Sequence, residues 1–163
     1  MLETAEALVR RAEATGARVI VNDRADIAML AGAAGVHGGQ DDLAPAAVRR
    51  VTGDAAIVGL STHTTAQVAC GLDEPVEYLA VGPVFGTATK QTGDDPVGLR
   101  RVREAALIAS DAGLPLVAIG GITIDRARDV MSAGAHSLAV IGDLFVGGDP
   151  EARVRRYLDL LKV

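Results

Sequence analysis

The stretch "RVIVNDRADIAMLAGAAGVHGGQDDL", residues 18–43, decides the fold. It opens with a short β-branched run and stops at Asn22-Asp23. A helical pattern follows over 24–31, then small residues, then a second apolar run that stops at Gln40-Asp41-Asp42. The apolar runs are continuous rather than alternating, which is the pattern of strands buried on both faces, and therefore of a parallel sheet. One strand, one polar loop, one helix and the next strand are all present in this piece.

The same unit recurs outward from it. Apolar runs return as "AIVGLS" at 56–61, "YLAVGP" at 78–83, "LPLVAIGGI" at 114–122 and "SLAVIGDLF" at 137–145. Helical patterns fill 2–15, 45–51, 64–71, 98–112, 123–133 and 150–161. Pro45 suits a first helical turn, Asp149 a cap before Pro150, and Gly113 and Gly134 left-handed helix ends. Such serial βα order fits a (β/α)-barrel or an open doubly wound sheet. No G-x-G-x-x-G opens a helix, which weakens the dinucleotide-binding version. The polar residues fall after strand ends: Asn22-Asp23, Gln40 to Asp42, Ser61 to His63, Thr87 to Lys90, Gly120-Gly121 and Gly142-Asp143. In a barrel those ends share one mouth. The expected fold is therefore α/β of the TIM (β/α)8-barrel type, in one domain over residues 1–163. Six strands are counted where a complete barrel has eight in about 250 residues, so a partial barrel is expected.

Composition bounds the function. The 163 residues are 49% apolar but only 2% aromatic, so the core must be built from Val, Ile, Leu and Ala. A formal net charge of −5 argues against a general nucleic-acid binder. No apolar run reaches the ~18 residues of a membrane span, and no signal peptide is visible, which makes the cytoplasm the expected compartment. The single cysteine, Cys70, excludes an internal disulfide and reads as a small buried apolar group.

Several residues carry chemistry. Asp23 and Asp42 are oxygen ligands of the kind Mg²⁺ shares with substrate phosphates, or else helix caps. Lys90 with Thr87 and Thr89 suits a phosphate or pyrophosphate, or else a solvated loop. "AIGGIT" at 118–123 and "AVIGD" at 139–143 place glycines after the last two strands, suiting an anion or simply tight turns. His37 and His136 read as structural, and His63 as a catalytic aid or a loop cap. Nothing matches hydrolase or zinc motifs.

Taken together, "VIVNDRADIAMLAGAAGVHGGQDDL", "VGLSTHT", "YLAVGPVFGTATK", "VAIGGIT" and "AVIGDLF" resemble the thiamine phosphate synthase family in order and spacing. The resemblance implies a (β/α)8 barrel that couples hydroxymethylpyrimidine diphosphate to thiazole phosphate, giving thiamine phosphate and pyrophosphate with Mg²⁺. It implies Asp23 and Asp42 as metal ligands, and Asn22, Ser61 and Lys90 as binders of the pyrimidine diphosphate, Ser61 and Lys90 acting in catalysis. It assigns Thr87, Thr89, Gly121, Ile141 and Gly142 to the thiazole phosphate. Two departures stand out. Gly142 replaces a serine common in the family, and the family's first two strands, with their Gln-x-Arg-x-Lys motif, find no counterpart. The chain is thus read as the C-terminal three-quarters of such an enzyme. Alone it is expected to be poorly active, with strand edges near 18–22 and 137–141 open to pairing with another copy. A thiazole tautomerase and a non-catalytic phosphate-binding barrel fragment are the alternatives.

Overall fold

A computed structural model describes residues 1–86 and 95–161. Six short parallel strands, β1 (Ile20–Asn22), β2 (Gly35–Gly38), β3 (Ile57–Thr62), β4 (Tyr78–Val81), β5 (Leu116–Ile119) and β6 (Ser137–Ala139), are hydrogen-bonded in chain order. They alternate with helices α1 (Leu2–Glu13), α2 (Ala25–Ala31), α3 (Pro45–Thr52), α4 (Thr65–Gly71), α5 (Gly98–Asp111) and α6 (Ile124–Ser132). A 3₁₀ turn, Gly142–Phe145, precedes the last helix, α7 (Pro150–Leu161). The described residues cluster as two compact units: residues 1–61 with 70–78, and residues 62–69 with 79–163.

In the first unit, β1 and β2 align Ile20 with Gly35 and Asn22 with His37, and β2 and β3 align His37 with Gly59. Val21, Val36 and Val58 are buried with Ala25, Ile27, Ala28 and Ala31 of α2 and Val48 of α3. Each fully buried Val contributes roughly 1.5–3 kcal/mol. Alanines on α2 let that helix lie close to the strands. It ends at Gly32, whose φ of 66° no β-branched residue would accept, and whose N–H donates to the carbonyls of Ala28 and Met29. Arg49 of α3 donates to the carbonyls of Pro75, Asp54 and Ala56 and pairs with Glu77, tying the loops around β3 and β4 together.

In the second unit, β4 and β5 align Leu79 with Leu116, and β5 and β6 align Val117 with Ser137. Leu79, Val81, Leu116 and Ala118 are fully buried, as are Val102, Ala105 and Ala109 of α5. α4 begins with a capping box: Thr64 Oγ1 accepts the Gln67 N–H at 3.1 Å, and Gln67 Oε1 accepts the Thr64 N–H at 3.1 Å. Asp149 caps α7 as expected, its Oδ1 accepting the Ala152 N–H at 3.0 Å. Gly113 and Gly134 take the left-handed conformation, with φ of 68° and 105°.

Two expectations need correction. The run at 137–145 holds a strand over only three residues, because Gly142 starts a 3₁₀ turn. Cys70 is exposed rather than buried, because it lies on the outer side of the short helix α4.

Candidate functional site

In the first unit the polar residues gather behind β1, β2 and β3. Asn22 is the last residue of β1, and the exposed Asp23 follows with φ of 63°. Among the described residues Asp23 alone has a positive φ without being glycine. Aspartate tolerates the left-handed region better than most residues, yet the conformation still costs about 1 kcal/mol. The Asp23 N–H donates to the His37 carbonyl at 2.8 Å, which fastens this turn to β2. Asp42 is exposed, and its Oδ2 accepts the Gly39 N–H at 2.7 Å. Neither aspartate caps a helix, since Arg24 precedes α2 and Ala44 precedes α3. Asp23 and Asp42 each offer carboxylate oxygens from a loop behind one of two adjacent strands. That fits Mg²⁺, which takes one or two carboxylates and fills its sphere with water and substrate phosphate. Among the described residues no group of three or more His, Cys, Asp and Glu comes together, so no all-protein metal cage is built there.

Ser61, in β3, is held from two sides. His37 Nε2 lies 2.8 Å from Ser61 Oγ, and Gln40 Nε2 donates to the Ser61 carbonyl at 2.6 Å. The imidazole of His37 is held in turn by Tyr78, whose hydroxyl lies 3.0 Å from Nδ1 and whose ring stacks on it with centroids 5.5 Å apart. Gly59 makes room for this stack, because a Cβ there would lie 2.1 Å from the Tyr78 ring. Burial pushes the Tyr78 phenol up from its ordinary pKa, so it stays a neutral hydroxyl. His37 is structural, as its place in a strand implied, and what it supports is Ser61.

The second unit contains a cavity of about 440 Å³ lined by Gly86, Gly120, Gly121, Thr123, Arg126, Val140, Ile141, Gly142 and Asp143 among others. Gly120 and Gly121 have φ of 98° and 60°, and a Cβ on Gly121 would lie 2.5 Å from the Gly86 carbonyl oxygen. Only glycine gives this wall its shape. Ile141 and Gly142 are exposed at its rim. Thr87, Thr89 and Lys90 lie outside the described residues. His63 Nδ1 donates to the Gly82 carbonyl at 2.7 Å, which fits its reading as a loop-holding residue. His136 likewise holds structure, its Nδ1 accepting the Leu116 N–H at 3.2 Å.

Two features of this cavity were not read from the sequence. Arg126 lies in the first turn of α6 with its guanidinium carbon 4.5 Å above the Phe85 ring. Its spacing from Thr123 was the available signal, since long helical side chains lean toward the helix start. The second is the burial of Asp143 and the set of partners around it. Its carboxylate accepts both Nε (3.0 Å) and Nη2 (2.9 Å) of Arg153, the Tyr157 hydroxyl (2.6 Å) and the Ile124 N–H (3.2 Å). Hydrogen bonding to Arg153 holds the Asp143 carboxyl below the usual range. Burial, and then the bond to Asp143, push the Tyr157 phenol up. Among the described residues, no helix is long and apolar enough to cross a membrane.

Residues 1–144 match a family model described as thiamine monophosphate synthase. The thiamine-phosphate synthase of Koribacter versatilis is 46% identical over 153 residues, covering 94% of this chain and 70% of that protein. That of Mycobacterium sp. (strain KMS) is 44% identical over 160 residues, covering 98% and 70%. The thiamine phosphate pyrophosphorylase of Pyrococcus furiosus superposes with a TM-score of 0.84 at 26% identity, covering 98% of this chain and 77% of that one. An orotidine 5'-phosphate decarboxylase from Pyrococcus horikoshii superposes at 0.70 with 14% identity, which shows shared fold alone. The fold is thus of the (β/α)-barrel type with six parallel strands. The chain belongs to the thiamine-phosphate synthase family, transferases of thiamine biosynthesis.

Proposed function

We propose that this chain binds hydroxymethylpyrimidine diphosphate and thiazole phosphate and couples them. In this reading the bond between the pyrimidine methylene carbon and the diphosphate oxygen breaks, and pyrophosphate leaves with the bonding pair. The thiazole nitrogen then donates its lone pair to the methylene carbon, giving thiamine phosphate. Asn22, Ser61 and Lys90 bind the diphosphate, and Lys90 offsets the charge that develops on the departing oxygen. Ser61 acts as a positioned hydroxyl, which its two-sided support by His37 and Gln40 favours. Asp23 and Asp42 would hold Mg²⁺, which supplies Lewis-acid stabilisation of the leaving group. Thr87, Thr89, Gly121, Ile141 and Gly142 take the thiazole phosphate. The chain's part is to position and neutralise, with no covalent nucleophile needed.

The observation that carries this reading is the glycine-walled cavity of about 440 Å³ in a chain of this family. It gives a phosphate ester a concave place with backbone at close range. A tautomerase reading is not favoured, because the matched curated relatives are synthases. The test is formation of thiamine phosphate and pyrophosphate from the two substrates, with Mg²⁺ and then with a chelator. Weak turnover that the chelator abolishes is expected. Thiazole phosphate isomerisation without coupling would overturn the reading.

A further inference from the structure

We propose that Arg126 grips the phosphate in the glycine-walled cavity, and that Phe85 holds its guanidinium ready. This rests on the assignment of that cavity to thiazole phosphate, and it adds a residue that assignment does not contain.

The reasoning starts from what the cavity offers an anion. Most of its wall is glycine backbone and aliphatic side chain; its polar side chains among the described residues are Thr123, Arg126 and Asp143. Asp143 cannot attract phosphate, being itself an anion. Its charge is answered by Arg153. It also takes up the Ile124 N–H, the first of α6, so that donor is already engaged. Gly142 brings no side-chain donor. That leaves Arg126 as the cationic side chain among the described lining residues. Among the described residues it has no ion-pair partner of its own.

The Phe85 contact supplies the geometry. A ring centroid 4.5 Å from the guanidinium carbon attracts the cation, and no hydrogen bond among the described residues occupies the guanidinium's N–H edges. Phosphate is bound by those edges, in a fork of two parallel hydrogen bonds. Stacking also removes rotamer freedom before the ligand arrives, so less is lost on binding. The Phe85 backbone is anchored by its N–H, which donates to the Gly120 carbonyl at 3.0 Å. The same glycine pair that shapes the cavity therefore also places the arginine's platform.

Binding of thiazole phosphate, of the unphosphorylated thiazole alcohol and of inorganic phosphate to the full chain is measured by calorimetry. Wild type, Arg126→Gln, Arg126→Lys and Phe85→Ala are compared, with thermal unfolding as a folding control. Arg126→Gln is expected to weaken thiazole phosphate and inorganic phosphate by about 10–100-fold, the loss of a charge-assisted pair. The alcohol is expected to be unaffected. Arg126→Lys keeps charge without the fork and falls between. Phe85→Ala costs about 2–5-fold, the loss of one exposed cation–π contact. If Arg126→Gln binds both phosphates as wild type does, the inference is overturned. Arg126-dependent binding of inorganic phosphate without binding of thiazole phosphate supports this inference and overturns the substrate assignment. Binding of neither by wild type overturns both.

Discussion

In the first unit Asn22, Asp23, Asp42 and Ser61 present side-chain oxygens and an amide from loops and a strand end. In the second, Gly120, Gly121 and Gly142 present backbone around a cavity. The two surfaces are expected to respond to mutation differently. Where side chains do the binding, a truncation removes chemistry and leaves the fold, because exposed carboxylates hold little of the core. Where backbone does the binding, an added methyl disturbs shape, and stability and affinity fall together.

The sharpest break of that contrast lies at Asp23. Asp23→Ala is expected to lower kcat/KM by about 10²–10³-fold, the cost of one preorganised electrostatic group. Asp23→Gly is expected to lose the same activity while gaining about 1 kcal/mol of stability, because it relieves the left-handed conformation. Urea unfolding beside a pyrophosphate-release assay reads both. Activity retained by the glycine variant would remove Asp23 from the site.

Next comes Asp143→Asn, expected to destabilise by about 2 kcal/mol, since the buried side chain loses its charge-assisted hydrogen bonds to the partly exposed Arg153. The pH dependence follows from sign. The folded carboxyl sits below its ordinary value, so its stabilisation is complete at neutral pH and is lost as pH falls below about 4. The gap between wild type and variant should close in acid, as pH-dependent thermal unfolding would show.

Gly121→Ala tests the backbone side. A Cβ 2.5 Å from the Gly86 oxygen at φ of 60° combines overpacking with strain, about 2–3 kcal/mol. Affinity for thiazole phosphate is expected to fall in parallel; unchanged affinity would break the comparison.

The smallest effect is expected at Tyr78→Phe. It loses one hydrogen bond to His37, about 1 kcal/mol, and lowers activity a few-fold by loosening Ser61.

The strands and helices were legible because the parallel sheet leaves continuous apolar runs, and because Gly113, Gly134 and Asp149 punctuate them. The polar residues proposed for the site were legible as strand-end residues, as Asn22 and Asp23 are. Partners brought together across the fold were not. Nothing in the chain order sets Tyr78 on His37, 41 residues away. Nor does it show that Gly59 is small in order to admit that ring. Asp143 read as a loop acid after a glycine, and only folding delivers Arg153 and Tyr157 to it. Cys70 misled because a helical pattern of seven residues has too little period to mark its outer face.

The Asp143 carboxylate joins the 3₁₀ turn at the cavity rim, the start of α6 and the body of α7 through one buried acid. Its geometry works like a rivet through three plates. Heat that peels α7 away must also release the rim, so loss of phosphate affinity and loss of that helix's circular-dichroism signal are expected to coincide in one transition.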